Sequence, residues 1–214
     1  MATTTGSGDG LRERKKRQTR AAIAAAATRL FAQRGFDGVT VAEIARAADV
    51  SEKTVFNHFP AKEDLVFAGG EERRAALIAA VRQRPAGTSV LEPFRAATLA
   101  FLDQVERGPV DEIVAAPRMV MASATLRDRL FVGWEREAGL LAPVIAEAAG
   151  VAADDVVAAV VARTLAWTHR VVVREAFQRL LAGEDQRAVA AALRADAQRA
   201  YDQLAAGLAG YGTA

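Results

Sequence analysis

Residues 40–67 read TVAEIARAADVSEKTVFNHFPAKEDLVF, and this stretch decides the fold. Thr40 and Glu43 form a Thr-x-x-Glu capping box, which predicts the first turn of a helix. Apolar residues then recur at helical spacing on one face, at Val41, Ile44, Ala45 and Ala48. Ser51 is a favourable N-cap for a second helix over Glu52–His58. Two short helices joined by a tight turn are the geometry that lays the second helix in the DNA major groove.

The second of these helices is polar nearly all round. Val55 is its most core-like position, and Phe59 follows just beyond it. Among its polar residues, Asn57 can pair with adenine, Lys53 with guanine or phosphate, and Thr54 with a thymine methyl group. The same composition also fits an ordinary solvated surface helix, and composition alone supports the two interpretations equally.

The segment VSEKTVFNHFPAKEDLV, residues 50–66, resembles the signature of TetR-type bacterial transcriptional repressors. Phe56 and Phe59 hold the aromatic positions of that signature, and Lys62 holds its lysine. Many members have tyrosine where this chain has Phe56, so the hydroxyl group that often contacts a phosphate is missing here. The resemblance covers the N-terminal part of the chain and says almost nothing about the identity of the ligand.

The resemblance implies an all-α protein with an N-terminal three-helix helix-turn-helix DNA-binding domain and a C-terminal helical ligand-binding and dimerisation domain. It also implies a ligand-responsive dimeric repressor, released by a small-molecule effector from a pseudo-palindromic double-stranded DNA operator, without a cofactor. An activator or a corepressor-dependent regulator of the same fold would have the same sequence features. A non-catalytic helical protein-interaction adaptor is a further alternative, but it leaves the basic and polar N-terminal segments unexplained.

The DNA-binding residues are assigned from their positions in this motif. We expect base contacts from Lys53, Thr54, Asn57 and His58. We expect phosphate contacts from Thr40, Ser51 and Lys62, because side chains and helix N-termini both bind phosphate. Phe56 belongs to the same surface but offers no polar contact.

A basic segment precedes the helix-turn-helix. Residues 12–20 carry six cationic side chains against one acid, Glu13. Such a run is either a solvated face or a nucleic-acid patch. Its position favours phosphate contacts, with Arg14 and Lys16 as candidates. The helix that carries it is predicted to continue to Gly35.

The domain limits follow from these signals. We expect a disordered tail over residues 1–10, a DNA-binding domain over residues 11–66 and a ligand-binding and dimerisation domain over residues 67–214. A fourth helix is predicted from residue 61 toward residue 84, although it contains Gly69–Gly70. Each of two adjacent glycines weakens a helix interior by about 1 kcal/mol, so the pair is either a functional hinge or an inert kink.

The C-terminal domain is predicted to be wholly helical, and its last two helices are long and largely apolar. The first of them has no breaker over residues 154–181, and the second follows Gly183. A helix that is apolar on several sides implies burial on several sides. We therefore expect a homodimer with a four-helix interface, which also suits paired operator half-sites. Alternatively, these helices complete a monomeric core.

A small-molecule pocket is expected between helices of the C-terminal domain. Methionine and aromatic side chains suit an adaptable cavity, and arginines suit an acidic ligand. The candidates are Phe101, Met119, Met121, Trp134, Arg163, Trp167, His169 and Arg170. Taken singly, the apolar candidates are better explained as core residues, and the arginines fit ion pairs across a dimer interface equally well. His169 lies among apolar neighbours, as expected of a hydrogen-bonded core histidine.

Composition and motifs argue against other classes of protein. The chain is 51% apolar and 25% charged, as in soluble globular proteins, and the absence of cysteine excludes disulfides and thiolate chemistry. The sequence has no HExxH, no Gly-x-Ser-x-Gly and no phosphate-binding glycine-rich loop. Charge interrupts the apolar runs, and the N-terminus has no signal-peptide core. We therefore expect a cytoplasmic, non-enzymatic protein without a membrane segment.

Overall fold

The computed structural model describes residues 7–208, and every regular element in this range is helical, which confirms the predicted all-α class. The helices are α1 (Ser7–Arg34), α2 (Val41–Ala47), α3 (Glu52–His58), α4 (Gly70–Arg82), α5 (Leu91–Arg107), α6 (Val110–Ala122), α7 (Ala124–Ala149), α8 (Val156–Leu181) and α9 (Gln186–Leu208). A 3-10 helix, Lys62–Leu65, lies between α3 and α4. The chain forms two compact units, one ending at Gly70 and the other beginning at Glu71.

The N-terminal unit packs α1 against α2 and the 3-10 helix, and α2 against α3. Its buried apolar residues recur at helical spacing along α1 and α2, so each of these helices contributes one face to the core. They are Ile23, Ala26, Ala27, Phe31, Phe36, Val39, Ile44, Ala45, Val55, Phe59 and Leu65. The face of α1 that carries Ile23, Ala26, Ala27 and Phe31 therefore packs against the helix-turn-helix.

The turn between α2 and α3 is closed by backbone hydrogen bonds around Asp49. The Val50 N–H donates to the carbonyl oxygen of Ala45 at 3.0 Å, and the Asp49 N–H donates to that of Arg46 at 3.2 Å. This pair of bonds is the Schellman motif, in which the residue after the C-cap takes a left-handed conformation. Asp49 takes it, with a φ of 55°. Aspartate tolerates this region better than most residues, so it ends α2 without a glycine.

The first helix begins earlier than the sequence indicates. α1 starts at Ser7, so residues 7–10, which we assigned to the disordered tail, are helical. Residues 1–6 of that predicted tail lie outside the described residues. At the other end, α1 stops at Arg34 and Gly35 follows with a φ of 72°, as the turn signal predicts.

The continuous fourth helix predicted from residue 61 is wrong. The backbone instead forms the short 3-10 helix, and α4 begins only at Gly70. The Asp64 carboxylate accepts a hydrogen bond from the Ala61 N–H at 3.1 Å, which closes a local turn. Two adjacent glycines carry the highest conformational cost of any non-proline pair in a helix interior, so the helix starts at the second glycine.

The C-terminal unit is organised around α8, which packs against α5, α6, α7 and α9. One cluster of buried residues joins α8 to α4, α5, α7 and α9, and its members include Val81, Leu91, Phe94, Leu141, Ile145, Val161, Leu165 and Tyr201. A second cluster lies toward the other end of α8 and includes Leu102, Val105, Val114, Val172, Leu180, Val189 and Leu193. α8 therefore buries several faces, as its sequence predicts.

α8 is more continuously apolar than we expected from the sequence. Val156–Leu181 is long and apolar enough to span a membrane by length and composition alone, with a mean hydropathy of 1.4 in its most apolar window. A core helix of a soluble protein passes the same test, and α8 packs against four other helices. Burial against these helices accounts for part of the apolar character of α8, and the rest lies at exposed positions such as Val156 and Val160.

Candidate nucleic-acid interface

α3 is held at its N-terminus and along one buried face. The Ser51 Oγ accepts a hydrogen bond from the Thr54 N–H at 3.1 Å, so the predicted N-cap is present. Val55 and Phe59 are each 1% exposed. Because these two apolar residues fix the rotation of the helix, the opposite side of α3 faces solvent.

The outward face of α3 presents Lys53, Phe56 and Asn57, whose side chains are exposed. Positions i, i+3 and i+4 lie side by side on a helix, so this face combines an ammonium group, a phenyl ring and a carboxamide. Lysine contacts guanine or phosphate, and asparagine pairs with adenine in the major groove. The arrangement offers base-reading groups on a short, fixed helix.

Thr54 and His58 are turned partly toward the protein. The Thr54 hydroxyl lies 2.8 Å from the Ser51 Oγ, so it takes part in the cap. His58 is half-buried at the end of α3. Of the four residues predicted to contact bases, the structure brings Lys53 and Asn57 onto the outward face and leaves Thr54 and His58 at its margin.

Arg20 of α1 holds the C-terminal end of α3. Its guanidinium group donates a hydrogen bond to the carbonyl oxygen of His58 and lies 4.0 Å from the ring centroid of Phe59. Burial lowers the pKa of His58, and the neighbouring cations Arg20 and Lys16 lower it further. This role of Arg20 has no signal in the sequence, because the two hydrogen-bonded residues are 38 positions apart and no local pattern links them.

The residues predicted to contact phosphate differ in the contacts that they already make within the protein. Arg14 and Lys16 are exposed on α1, as a backbone contact requires. The Ser51 side chain is exposed, but its oxygen caps α3. The Lys62 ammonium group lies 4.2 Å from the ring centroid of Phe36, so a cation-π contact fixes its side chain.

Thr40 and Glu43 form the predicted capping box, and Arg34 binds the carboxylate of Glu43 as well. Both the backbone N–H and the hydroxyl of Thr40 donate to Glu43 Oε2 at 2.8 Å, and the Arg34 guanidinium donates to the same oxygen at 2.8 Å. The Arg34 hydrogen bond and then the Thr40 bonds lower the pKa of Glu43 to about 2. The Thr40 hydroxyl hydrogen is therefore occupied by Glu43 rather than directed toward solvent.

In the C-terminal unit, the inner members of the predicted ligand set belong to a buried polar network. His169 Nδ1 lies 2.9 Å from the Thr98 Oγ1, which in turn lies 2.8 Å from the Tyr201 hydroxyl. Phe101 packs edge-on against His169 and Phe177, with centroid separations of 6.4 and 5.5 Å. Burial lowers the pKa of His169 to about 4 and raises that of Tyr201 to about 12. His169 is thus a hydrogen-bonded, half-buried histidine beside the core.

The outer members form a separate aromatic group between α7 and α8. Trp134 lies between Phe131 and Trp167, with centroid separations of 5.0 and 5.6 Å and edge-to-face geometry. The two methionines lie apart from these contacts on α6, with Met119 half-buried and Met121 exposed. The structure therefore does not gather the predicted set into one cavity.

The two predicted ligand-binding arginines are engaged in ion pairs with α7. Arg170 lies 2.8 Å from Glu137 and also donates to the carbonyl oxygen of Trp134 at 3.0 Å. Arg163 lies 3.4 Å from Glu135 at a more exposed position. An acidic ligand would have to replace these carboxylates.

A groove of about 240 Å³ lies between α8 and α9. Its lining is mostly apolar and consists of Val160, Val161, Thr164, Gln203, Leu204 and Gly207. None of the predicted ligand-binding residues lines it. Within residues 7–208, no three His, Asp or Glu side chains converge on a site that could hold a metal ion.

Comparisons with known proteins agree with this geometry. A sequence model described as bacterial regulatory proteins, tetR family, matches residues 23–68, which include the helix-turn-helix. The HTH-type transcriptional regulator TcmR of Streptomyces glaucescens is 35% identical over 158 residues, which are 71% of this chain and 70% of that protein.

Solved structures extend the similarity to both units. The structure of Salmonella enterica GusR has a TM-score of 0.52 and 25% identity, and the match covers 89% of this chain and 95% of that one. A TetR-family regulator from Streptomyces coelicolor A3 has a TM-score of 0.52 and 24% identity, over 86% of this chain and 94% of that one. The latter likeness bears on the fold alone.

Proposed function

This chain belongs to the tetR family of bacterial regulatory proteins, which are DNA-binding transcription regulators, and from that premise we propose that it is a dimeric, effector-released repressor. The observation that carries the proposal is the outward face of α3, where Lys53, Phe56 and Asn57 are presented by a helix capped at Ser51. In this role the protein acts in the cytoplasm and has no catalytic activity of its own.

The DNA-binding step uses two copies of α3. Each lies in a major groove of a pseudo-palindromic operator, with half-sites about one helical turn apart or a multiple of that. Lys53 and Asn57 contact base edges, with Thr54 and His58 at the margin of the contact. Arg14, Lys16, Lys62 and the N-terminal turns of α2 and α3 at Thr40 and Ser51 contact phosphates, which makes binding depend steeply on salt.

An exposed apolar stripe on α8 supports the homodimer. Val156, Val160, Trp167 and Val171 recur at helical spacing and are 74%, 56%, 49% and 42% exposed in the single chain. Isolated apolar side chains on a surface are normal, but several on one side of a helix mark an interaction site. A two-fold axis would bring the stripe and the groove between α8 and α9 against their copies, because such an interface pairs the same surface on both subunits.

The effector binds the C-terminal unit in this proposal. The aromatic group of Trp134 and Trp167 offers an apolar wall, whereas Phe101 and Met119 lie outside that group. Arg163 and Arg170 receive an acidic group only by giving up their carboxylate partners. His169 contributes mainly to the core behind these residues, through its hydrogen bond with Thr98.

Regulation then requires that the effector bind one state of the dimer more tightly than the other. α4 begins where the N-terminal unit ends, so a shift of α4 is a direct way for the C-terminal unit to change the separation of the two α3 helices. The start of α4 at Gly70, rather than the interior glycine pair expected from the sequence, is the candidate hinge.

The proposal is tested by a mobility-shift titration with the DNA that flanks the gene, at two salt concentrations. The expected result is a specific, salt-sensitive shift that Asn57→Ala weakens by about 5- to 150-fold, since a bidentate base contact is worth about 1–3 kcal/mol. Gln104→Ala removes an exposed carboxamide from α5 and is the matched control. Equal binding to flanking and random DNA would contradict the proposal.

A further inference from the structure

One side chain on the outward face of α3 has no role in the hydrogen-bonding scheme above. The phenyl ring of Phe56 is 47% exposed, one helical turn from Lys53 and next in sequence to Asn57, the two residues best placed to contact bases. A single exposed apolar side chain is normal on a protein surface. This one lies on the helix that is proposed to enter the major groove, where it can meet an apolar group of a base.

We propose that Phe56 is a specificity-determining residue whose ring packs against the 5-methyl group of a thymine in each operator half-site. The inference rests on the proposed function, since it requires α3 to lie in the major groove. The thymine methyl is the apolar group on the major-groove edge of the base pairs, and phenylalanine is one of the side chains that contact it.

The chemistry of Phe56 favours a base over the DNA backbone. A phenyl ring has no donor for a phosphate oxygen, and pressing it against a phosphate would remove water from the charge without replacing its hydrogen bonds. Against a methyl group, the same ring removes apolar surface from water on both sides. The side chain at this position is therefore suited to base recognition rather than to backbone contact.

The position of Phe56 limits where the thymine lies. Side chains three and four residues apart on a helix have Cβ atoms about 5–6 Å apart, and base pairs are stacked about 3.4 Å apart. Phe56 is three residues from Lys53 and one from Asn57. We therefore expect the thymine within about two base pairs of the purines that those residues contact.

The test uses the full chain and an operator selected from random duplex DNA. Each thymine of the selected sequence is replaced in turn by deoxyuridine, which removes only the 5-methyl group. For the native chain we expect one position per half-site at which the replacement weakens binding about fourfold, the factor for one buried methyl, and about 15-fold when both half-sites are changed.

The variants identify the side chain that senses the methyl group. Phe56→Ala should bind more weakly and show no further loss with deoxyuridine at that position, whereas Phe56→Leu, which keeps an apolar side chain, should retain most of the loss. Asn57→Ala is the control: it should weaken binding but retain the methyl dependence. Far-UV circular dichroism checks folding, and Phe56→Gln replaces the alanine variant if that variant does not fold.

Two results would overturn the inference in different ways. A selected operator with no thymine at which deoxyuridine matters, or with an equal loss in Phe56→Ala, would refute the role of Phe56 and leave the repressor proposal standing. A selection that enriches no sequence at all would refute sequence-specific binding and this inference with it.

Discussion

The guanidinium group of Arg20 lies 4.0 Å from the ring centroid of Phe59, and it donates a hydrogen bond to the carbonyl oxygen of the preceding residue, His58. The contact joins the basic helix α1 to the C-terminal end of α3. The last carbonyl groups of a helix carry partial negative charge, so a cation is favourable there. Arg20 thus differs from the exposed cations of α1, because it positions α3.

Replacing Arg20 should destabilise the N-terminal unit. Arg20→Ala removes a cation-π contact and a charged hydrogen bond, so we expect a loss of about 1–3 kcal/mol in the free energy of unfolding. Arg17→Ala removes an exposed cation from the same helix and should change it by less than about 0.5 kcal/mol. Urea unfolding followed by far-UV circular dichroism measures both variants. Equal effects would mean that only the charge of α1 matters.

Replacing Asp49, which has a left-handed backbone conformation, should preserve stability with glycine and lower it with alanine. Asp49 has a φ of 55°, where a Cβ meets the following carbonyl oxygen at a cost of about 1–2 kcal/mol for an ordinary residue. Asp49→Ala should therefore lower the melting temperature, whereas Asp49→Gly should preserve or raise it. Thermal unfolding of the two variants ranks them, and an alanine variant as stable as the native chain would be evidence against strain at this turn.

The capping box at Thr40 should make stability depend on acid pH. The pKa of Glu43 is lowered from 4.5 to about 2, first by Arg34 and then by Thr40. The contribution of the carboxylate is therefore complete above about pH 4.5 and is lost as the pH falls toward 2. Glu43→Gln cannot titrate, so the difference in unfolding free energy between the native chain and this variant should shrink across that window. A difference that does not vary with pH would refute the linkage.

The half-buried histidine should produce a second pH dependence, in a higher window. Burial lowers the pKa of His169 from 6.5 to about 4, although Glu137 partly opposes the shift and Arg170 and Arg73 add to it. Since the folded state binds this proton less well than the unfolded chain, stability is full above pH 6.5 and falls as the pH drops toward 4.

The loss should approach about 3 kcal/mol at the acid end of the window, from about 1.4 kcal/mol per pKa unit. His169→Gln keeps a hydrogen-bonding group for Thr98 but does not titrate, so it should lack this dependence. Denaturant unfolding at several pH values across the window measures it for both chains. The same slope in both chains would assign the effect to other groups.

The dimer proposal predicts different outcomes for two exposed valines. Val160 lies on the apolar stripe of α8 and lines the groove toward α9, whereas Val132 lies on α7; they are 56% and 62% exposed. Val160→Asp should shift the chain to monomer, because it buries a charge in the interface. Val132→Asp should leave the dimer intact. Sedimentation velocity distinguishes them, and a dimer in both variants would remove α8 from the interface.

The short elements near the N-terminus were predictable because their signals are local. The capping box at Thr40, the N-cap at Ser51 and the bounds of α3 all appear in the structure as predicted. A cap is a hydrogen bond across three residues, so the sequence contains both partners side by side. The break before α4 was missed because a turn closed by Asp64 competes there with helix continuation, and propensity alone does not decide such a competition.

The ligand-binding residues were the least predictable part of the site. Residue type and helical spacing predicted that Phe101, Trp134, His169 and Arg170 share one site. In the structure, Phe101 and His169 belong to the network around Thr98, whereas Trp134 packs against Trp167 and Arg170 pairs with a carboxylate of α7. Which residues share a cavity depends on how helices far apart in the chain pack, and spacing within one helix carries no information about that.

The sequence by itself determined the helical class, the caps of α2 and α3 and the motif that identifies a DNA-binding regulator, because each depends on residues a few positions apart. Only the tertiary structure decided which side of α3 faces outward. That side is set by the burial of Val55 and Phe59 against the N-terminal core and by Arg20, 38 positions from its hydrogen-bond partner. α3 is polar nearly all round, so contacts with residues distant in the sequence fix its orientation. These contacts leave Lys53, Phe56 and Asn57 facing solvent.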